Sequence, residues 1–287
     1  MEKNQILDQT GLDWSVRSSK VVTECGFPTD KVAMVRNDNN DVLGVHSSGY
    51  VPYQNDQLVE LLMRVSSLTG LDIHRGGEFG GGKKVFIQLK SNDLKLGKDK
   101  VEGFVTGINS FDGSTSLAFG NSNLTISCQN TFFAAYRNLD KVRHTKNMTT
   151  RVDEICKGID MLVDMEKEMF DSIKRMSETP LKPNYDSLRD KVAKRLFDID
   201  MNISLKNYNN SEELSTTKKN KLSRFYIDLN GEIQEKGDNL WGLFSGVTKY
   251  TTHSISKNDN SENKMFGTYG KRERVIFNDM VSLMDRG

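Results

Sequence analysis

From residue 85 to residue 128 the chain sets strand pattern after strand pattern, with only polar connectors between them. Val85, Ile87 and Leu89 alternate on one face, and a second run, Val101 to Ile108, follows the polar, hairpin-like segment 91–100. Leu117 and Phe119 then share a face of one short run, and Leu124, Ile126 and Cys128 a face of the next. Parallel neighbours need a crossover of a dozen or more residues, whereas antiparallel neighbours close through a turn. Asp112-Gly113 supplies such a turn, being a dipeptide that tolerates positive φ. The expectation is therefore an α+β fold: a mostly antiparallel sheet with helices on one face, followed by a helical C-terminal half.

The flanks extend this reading. Residues 1–31 are polar and irregular, with Trp14 and Val16 as anchors, and 31–45 reads as a hairpin turning at 37–41. Asn55 suits the N-cap of a helix that buries Leu58, Leu61, Leu62 and Val65 and ends at Gly70. The glycines at 76, 77 and 80–82 precede the Val85 strand as a hairpin tip. Phe132, Phe133, Ala135, Tyr136 and Leu139 change the period to that of a short helix. Beyond Arg151 an apolar stripe from Val152 to Met176 predicts a helix that Pro180 and Pro183 stop. Further helices are expected at 185–197, around Trp241–Tyr250 and from about 271 to 284. The division expected is an α+β core over 1–150 and a helical region over 151–287, with exposed loops at about 202–220 and 257–264.

Composition excludes more than it selects. Among 287 residues the formal net charge is +1, so nucleic-acid binding must come from local clustering rather than the total. Three well-separated cysteines, Cys25, Cys128 and Cys156, give neither zinc spacing nor a disulfide scaffold. No run approaches the length of a membrane span and no apolar signal core opens the chain, so a cytoplasmic protein without membrane contact is expected. No cofactor, metal site or catalytic residue is expected. Gly77 to Lys84 approaches the GxxxxGK[ST] phosphate loop, but Lys84 stands where the magnesium-binding hydroxyl belongs, and a strand follows instead of a helix. A metal-dependent nuclease, an alternative built on Asp112, Asp140 and His144, is short of convergent carboxylates. Gln129, Asn130 and Thr131, at the expected strand-to-helix junction, read first as helix caps.

Charge clusters in two places. Arg75, Lys83 and Lys84 surround the glycine turn, and Arg137, Lys141, Arg143, Lys146 and Arg151 face a single acid, Asp140. Converging in one groove, these eight would hold a phosphate backbone and give salt-dependent binding. Phe111 or Tyr136 beside them would stack on bases. The simpler readings are a solvated face, cations answering helix C-terminal carbonyls, and a Tyr136 in the core.

The ordered motifs SGYVPYQND (48–56), GGEFGGGKKVFIQLK (76–90), NSFDGSTSL (109–117), CQNTF (128–132), RHTKNM (143–148) and WGLFSGVTKYTTH (241–253) resemble domain-of-unknown-function family 932, a phage- and plasmid-type family, and FGTYGKRERV (266–275) fits its ending. The resemblance covers nearly the whole chain. It implies a mobile-element protein, because such members sit beside replication and recombination genes. The order of hairpin, sheet and helix is also similar to single-strand annealing recombination proteins, whose eukaryotic relatives form rings with DNA in an outer basic groove. The implied function is a non-enzymatic binder and annealer of single-stranded nucleic acid that self-assembles into a ring or filament. The eight cations are chosen from charge and position, not carried over from the family. The rival is a protein-interaction factor such as an inhibitor of host defence.

Overall fold

The structure, a computed structural model, describes residues 2–97, 99–125, 130–133, 159–181, 183, 185–255 and 261–285. It is an α+β fold with two antiparallel sheets in the N-terminal half and helices in the C-terminal half. The first sheet is β1 (Val16–Val22), β2 (Pro28–Arg36) and β3 (Val42–Ser47), in that order. The second runs β4 (Ile73–Phe79), β5 (Lys84–Leu96), β6 (Asp99–Ser110), β7 (Ala118–Thr125) and β8 (Asn130–Phe133), again neighbour to neighbour. Among the described residues of this half lie the helices α1 (Lys3–Thr10) and α2 (Asn55–Thr69). Then follow α3 (Ile159–Glu178), α4 (Tyr185–Phe197), α5 (Thr216–Lys236), α6 (Leu240–Lys249), α7 (Ser261–Phe266) and α8 (Thr268–Met284).

The described residues form two compact units. One contains those within 1–92, 103–122 and 135–166, the other those within 93–102, 123–134 and 167–287. Two short segments of the first 150 residues therefore cluster with the C-terminal helices, and nothing in composition marks them.

In the first unit α2 buries Leu58, Leu61, Leu62 and Val65 with Val85, Ile87 and Leu89 of β5 in one apolar cluster. Each fully buried side chain of this size is worth roughly 1.5–3 kcal/mol. The helix is capped one residue earlier than expected. Gln54 and Gln57 form a capping box, while Asn55 is buried and donates to the Trp14 carbonyl at 3.0 Å. The glycine-rich stretch before β5 is itself a strand, β4, paired from Ile73↔Leu89 to Phe79↔Lys84. Only Gly80, Gly81 and Gly82 form the tip, all at positive φ. The first thirty residues are also more ordered than their polarity suggests. They hold α1 and β1, and Trp14 packs against Phe111 with the Arg36 guanidinium 4.0 Å from its ring centroid.

The second unit centres on α5 and α6. Its apolar cluster includes Phe197, Leu222, Phe225, Leu229, Phe244, Tyr250, Ile276 and Phe277. Gly246 lets the two helices approach, since a Cβ there would lie 2.7 Å from Leu229 Cα. Three expectations fail here and in the preceding sheet. Phe132 and Phe133 lie in strand β8, not in a helix. α5 begins at Thr216, inside the loop expected over 202–220, because Ser215 accepts from the Lys218 amide and Leu222, Phe225 and Leu229 give a buried seam. The loop expected over 257–264 contains α7, whose Lys264 is fully buried.

The glycine tip gives a direct test. At Gly82, φ is +93°, and an added Cβ would meet the Trp14 ring at 3.0 Å, whereas at Gly81 it would meet nothing. Gly82→Ala should therefore cost about 2–4 kcal/mol and Gly81→Ala about 1–2 kcal/mol in urea denaturation.

Candidate nucleic-acid interface

Three of the sequence motifs come together in the first unit around the loop 110–115. Phe111 donates its amide to the Lys83 carbonyl at 2.8 Å, joining this loop to the hairpin tip. His46 stacks on Tyr50 with ring centroids 3.9 Å apart, and its Nε2 lies 2.7 Å from the Phe111 carbonyl. A carbonyl only accepts, so Nε2 carries the proton. The Tyr50 hydroxyl donates to the Ser110 carbonyl at 3.0 Å. Burial first, and the nearby Asp112 charge second, push the Tyr50 phenol far above its ordinary range, so it is a fixed donor. Gly44 and Gly113 leave room for the imidazole: a Cβ on either would fall 2.9 Å from it.

Asp112 is engaged in the same way. It accepts from the Ser114 amide at 2.9 Å and pairs with Lys84 Nζ at 3.4 Å. Burial works to raise its pKa, but the Ser114 hydrogen bonds and Lys84 outweigh it and hold the carboxyl below its usual value.

The placement of the sequence candidates follows from this. Lys83 is exposed, and its side chain has no hydrogen-bond or ion-pair partner among the described residues. Lys84, its neighbour, turns inward to Asp112 with its side chain 13 % exposed. Arg75 Nε donates to Gln88 Oε1 at 2.5 Å. The three therefore do not form one cationic patch: Lys83 faces water, Lys84 is neutralised, and Arg75 is anchored on the sheet. Phe111 is a correction, because it is fully buried against Trp14 and presents no face to a base. Arg137, Lys141, Arg143, Lys146, Arg151 and Tyr136 lie outside the described residues, as do Cys128, Gln129, Asp140 and His144. No group of three His, Cys, Asp or Glu side chains that could hold a metal exists among the described residues. Among the described residues no helix is long and apolar enough to cross a membrane.

In the second unit three further motif segments approach one another. Strand β8, from CQNTF, packs against α6, α7, α8 and the π-helical turn Tyr250–Ser254. Within that packing Lys264 Nζ lies 2.6 Å from Glu273 Oε1 and 3.0 Å from the hydroxyls of both Thr251 and Thr252, and Thr251 also bonds Glu273. Both charged side chains are 1 % exposed. Burial drives Lys264 down and Glu273 up, each toward its neutral form, against their mutual attraction. Sequence reading missed this cluster. Lys264 sits in KNDNSENK, where composition signals only solvent, and Glu273 stands among Lys271, Arg272 and Arg274.

These sites, on an α+β scaffold of two antiparallel sheets and a helical C-terminal half, stand at the motifs that mark a family. Residues 42–268 match the model of a domain of unknown function, DUF932, and the chain belongs to that family. No curated protein and no solved structure matches the chain.

Two outcomes follow. Lys264→Met leaves Glu273 buried without its cation and should cost about 3–5 kcal/mol, most of it recovered in the Lys264→Met/Glu273→Leu double variant. For Asp112, the depressed folded pKa adds stability above the unfolded value, about 3.9, that is lost as pH falls through the folded one. Asp112→Asn should lower stability at pH 7 and flatten that acid limb of a denaturation series.

Proposed function

We propose that this protein binds single-stranded nucleic acid through the phosphate backbone, as a mobile-element factor in recombination or replication that assembles into homo-oligomers. The observation that supports this most directly is the state of Lys83. It stands exposed on a three-glycine turn with no acid against it among the described residues. Its cationic neighbours are already answered: Arg36 by Asp38 and Glu78, Lys84 by Asp112. A free ammonium at a hairpin tip braced by the 110–115 loop suits contact with a flexible polyanion. The run Arg137–Arg151, five cations against Asp140, supplies the rest of the charge from sequence. Binding of this kind holds the backbone and leaves base edges free for pairing, so no sequence is read.

A second reading, a protein-interaction factor, draws on the β1–β2 hairpin. Phe27 at its tip is 68 % exposed and Val22 is 55 % exposed, an apolar end unlike the Lys83 tip.

Titration of labelled single-stranded and duplex DNA at two salt concentrations decides between them. The expected result is preference for the single strand and a log K against log salt slope that Lys83→Glu reduces by about 0.7, one phosphate contact. Lys84→Glu is the wrong variant, because it breaks the Asp112 pair. Absence of DNA binding by the wild type, or a slope indifferent to Lys83→Glu, overturns the assignment of this tip.

A further inference from the structure

A cleft of about 650 Å³ opens in the second unit between the end of α4 and the start of α8. Its walls carry Lys194 and Arg195 from α4, Lys271 and Arg272 from α8, and Asp198 and Asp200 from the turn that follows α4. That is four cations against two carboxylates, and the local accounting leaves the excess open to solvent. Lys194 Nζ donates to the Met201 carbonyl at 2.9 Å, which orients it without cancelling its charge. Lys271 is exposed, and its side chain has no hydrogen-bond or ion-pair partner among the described residues. Arg272 donates to the Leu196 carbonyl at 2.9 Å and lies 3.3 Å from Asp198, whose side chain is 85 % exposed. Arg195 reaches Asp279 only at 3.4 Å.

The sign of these charges is unfavourable for the helix that bears them. Lys271 and Arg272 sit near the positive end of α8, where acids stabilise and cations do not. No acid occupies its first turn, and Gly267, the cap, provides no side-chain acceptor. Thr268 adds a hydroxyl at the same rim. Met201, from the turn after α4, and Val275, one turn along α8 from Lys271, also line the cleft while remaining 53 % and 44 % exposed. A second cleft of the same unit makes the contrast. It measures about 600 Å³, yet its lysines Lys95, Lys174 and Lys236 are matched in number by the carboxylates Asp99, Glu178 and Glu235, and Lys236 pairs with both Asp99 and Glu235. Size alone therefore does not single out the first cleft; its unbalanced charge does.

We propose that the cleft between α4 and α8 binds a phosphate-bearing ligand of nucleotide size, with Lys194, Lys271 and Arg272 on the phosphate and Met201 and Val275 against its apolar or planar part. A volume of this size matches the range of roughly 300–1,000 Å³ typical of small-ligand sites. The phosphate comes either from a free nucleotide or from the phosphorylated end of a nucleic acid strand. This site is separate from the Lys83 tip and does not depend on it.

The test is equilibrium binding by the full chain of three probes: adenosine triphosphate, a 5′-phosphorylated oligonucleotide and the same oligonucleotide with a 5′-hydroxyl. Wild type, Lys271→Glu, Lys194→Glu and Lys83→Glu are compared, with thermal melting to confirm that each is folded. The Lys271 side chain has no hydrogen bond or ion pair to lose among the described residues, so its variant tests charge. The expected result is binding of adenosine triphosphate, or tighter binding of the 5′-phosphorylated than of the 5′-hydroxyl strand, reduced tenfold or more by Lys271→Glu and by Lys194→Glu; Lys83→Glu weakens the two oligonucleotides alike. Adenosine triphosphate binding points to the free nucleotide. Binding of the 5′-phosphorylated strand alone points to a strand end. Failure of both phosphorylated probes, or affinity indifferent to Lys271→Glu, overturns the site. Oligonucleotide binding that ignores the 5′-phosphate and falls only in Lys83→Glu, with no adenosine triphosphate bound, upholds the hairpin reading and overturns this one.

Discussion

Around Gln88 both faces of β5 are out of water, and this constraint governs the first unit. On one face Val85, Ile87 and Leu89 are fully buried in the apolar cluster with α2. On the other, Gln88 is 1 % exposed and must find partners within the sheet. Its Oε1 accepts from Arg75 on β4, and its Nε2 donates to Thr106 on β6 and Ser122 on β7. The whole amide is used, and only this orientation places its oxygen toward the arginine donor. A slip of one residue would put Gln88 among the leucines and an apolar side chain into the polar row. The register is thus fixed from both sides, and with it the position of the hairpin tip and of the 110–115 loop bound to Lys83.

This rigidity explains why residues that resemble a reactive set are positioning groups. His46, Tyr50, Lys84, Asp112 and Ser110 lie close together and include an acid, a base and two hydroxyls. Each already has a carbonyl, amide or opposite charge to bind. Together they hold Phe111 in the core against Trp14. In the second unit the Lys264–Glu273–Thr251 cluster has the same character at greater depth, fixing the irregular π-helical turn against α7 and α8. What distinguishes the remaining cations is the lack of such an occupation: Lys83 on its turn, and Lys271 at the wrong end of a helix for its own stability.

Much of the architecture was legible because it depends on local pattern. Alternation at Val85, Ile87 and Leu89 and the turn at Asp112-Gly113 specify neighbouring antiparallel strands. The i, i+3, i+4, i+7 seam of α2 and its left-handed Gly70 stop specify a helix. The readings that failed had a local signal opposed by a nonlocal one. Six residues of β4, HRGGEF, have poor strand propensity at two glycines, yet pairing with β5 makes the stretch a strand. α5 hides behind a polar, Lys-bearing surface because its fully buried residues are just Leu222, Phe225, Leu229 and Glu232, with Tyr226 and Ile233 half-buried beside them. Phe111 looked like an exposed aromatic beside a turn, and only the approach of Trp14 from the N-terminal segment shows it to be core.

The sequence by itself determined the class of fold, the family and the order of most elements, since periodicity and turn chemistry act over a few residues. Tertiary structure alone decided which charges are free. Whether a lysine meets an aspartate 28 residues away, as Lys84 meets Asp112, or stands in solvent, as Lys83 does, depends on strand register and loop closure. Those bring distant residues within a few ångströms, and no local pattern encodes that distance.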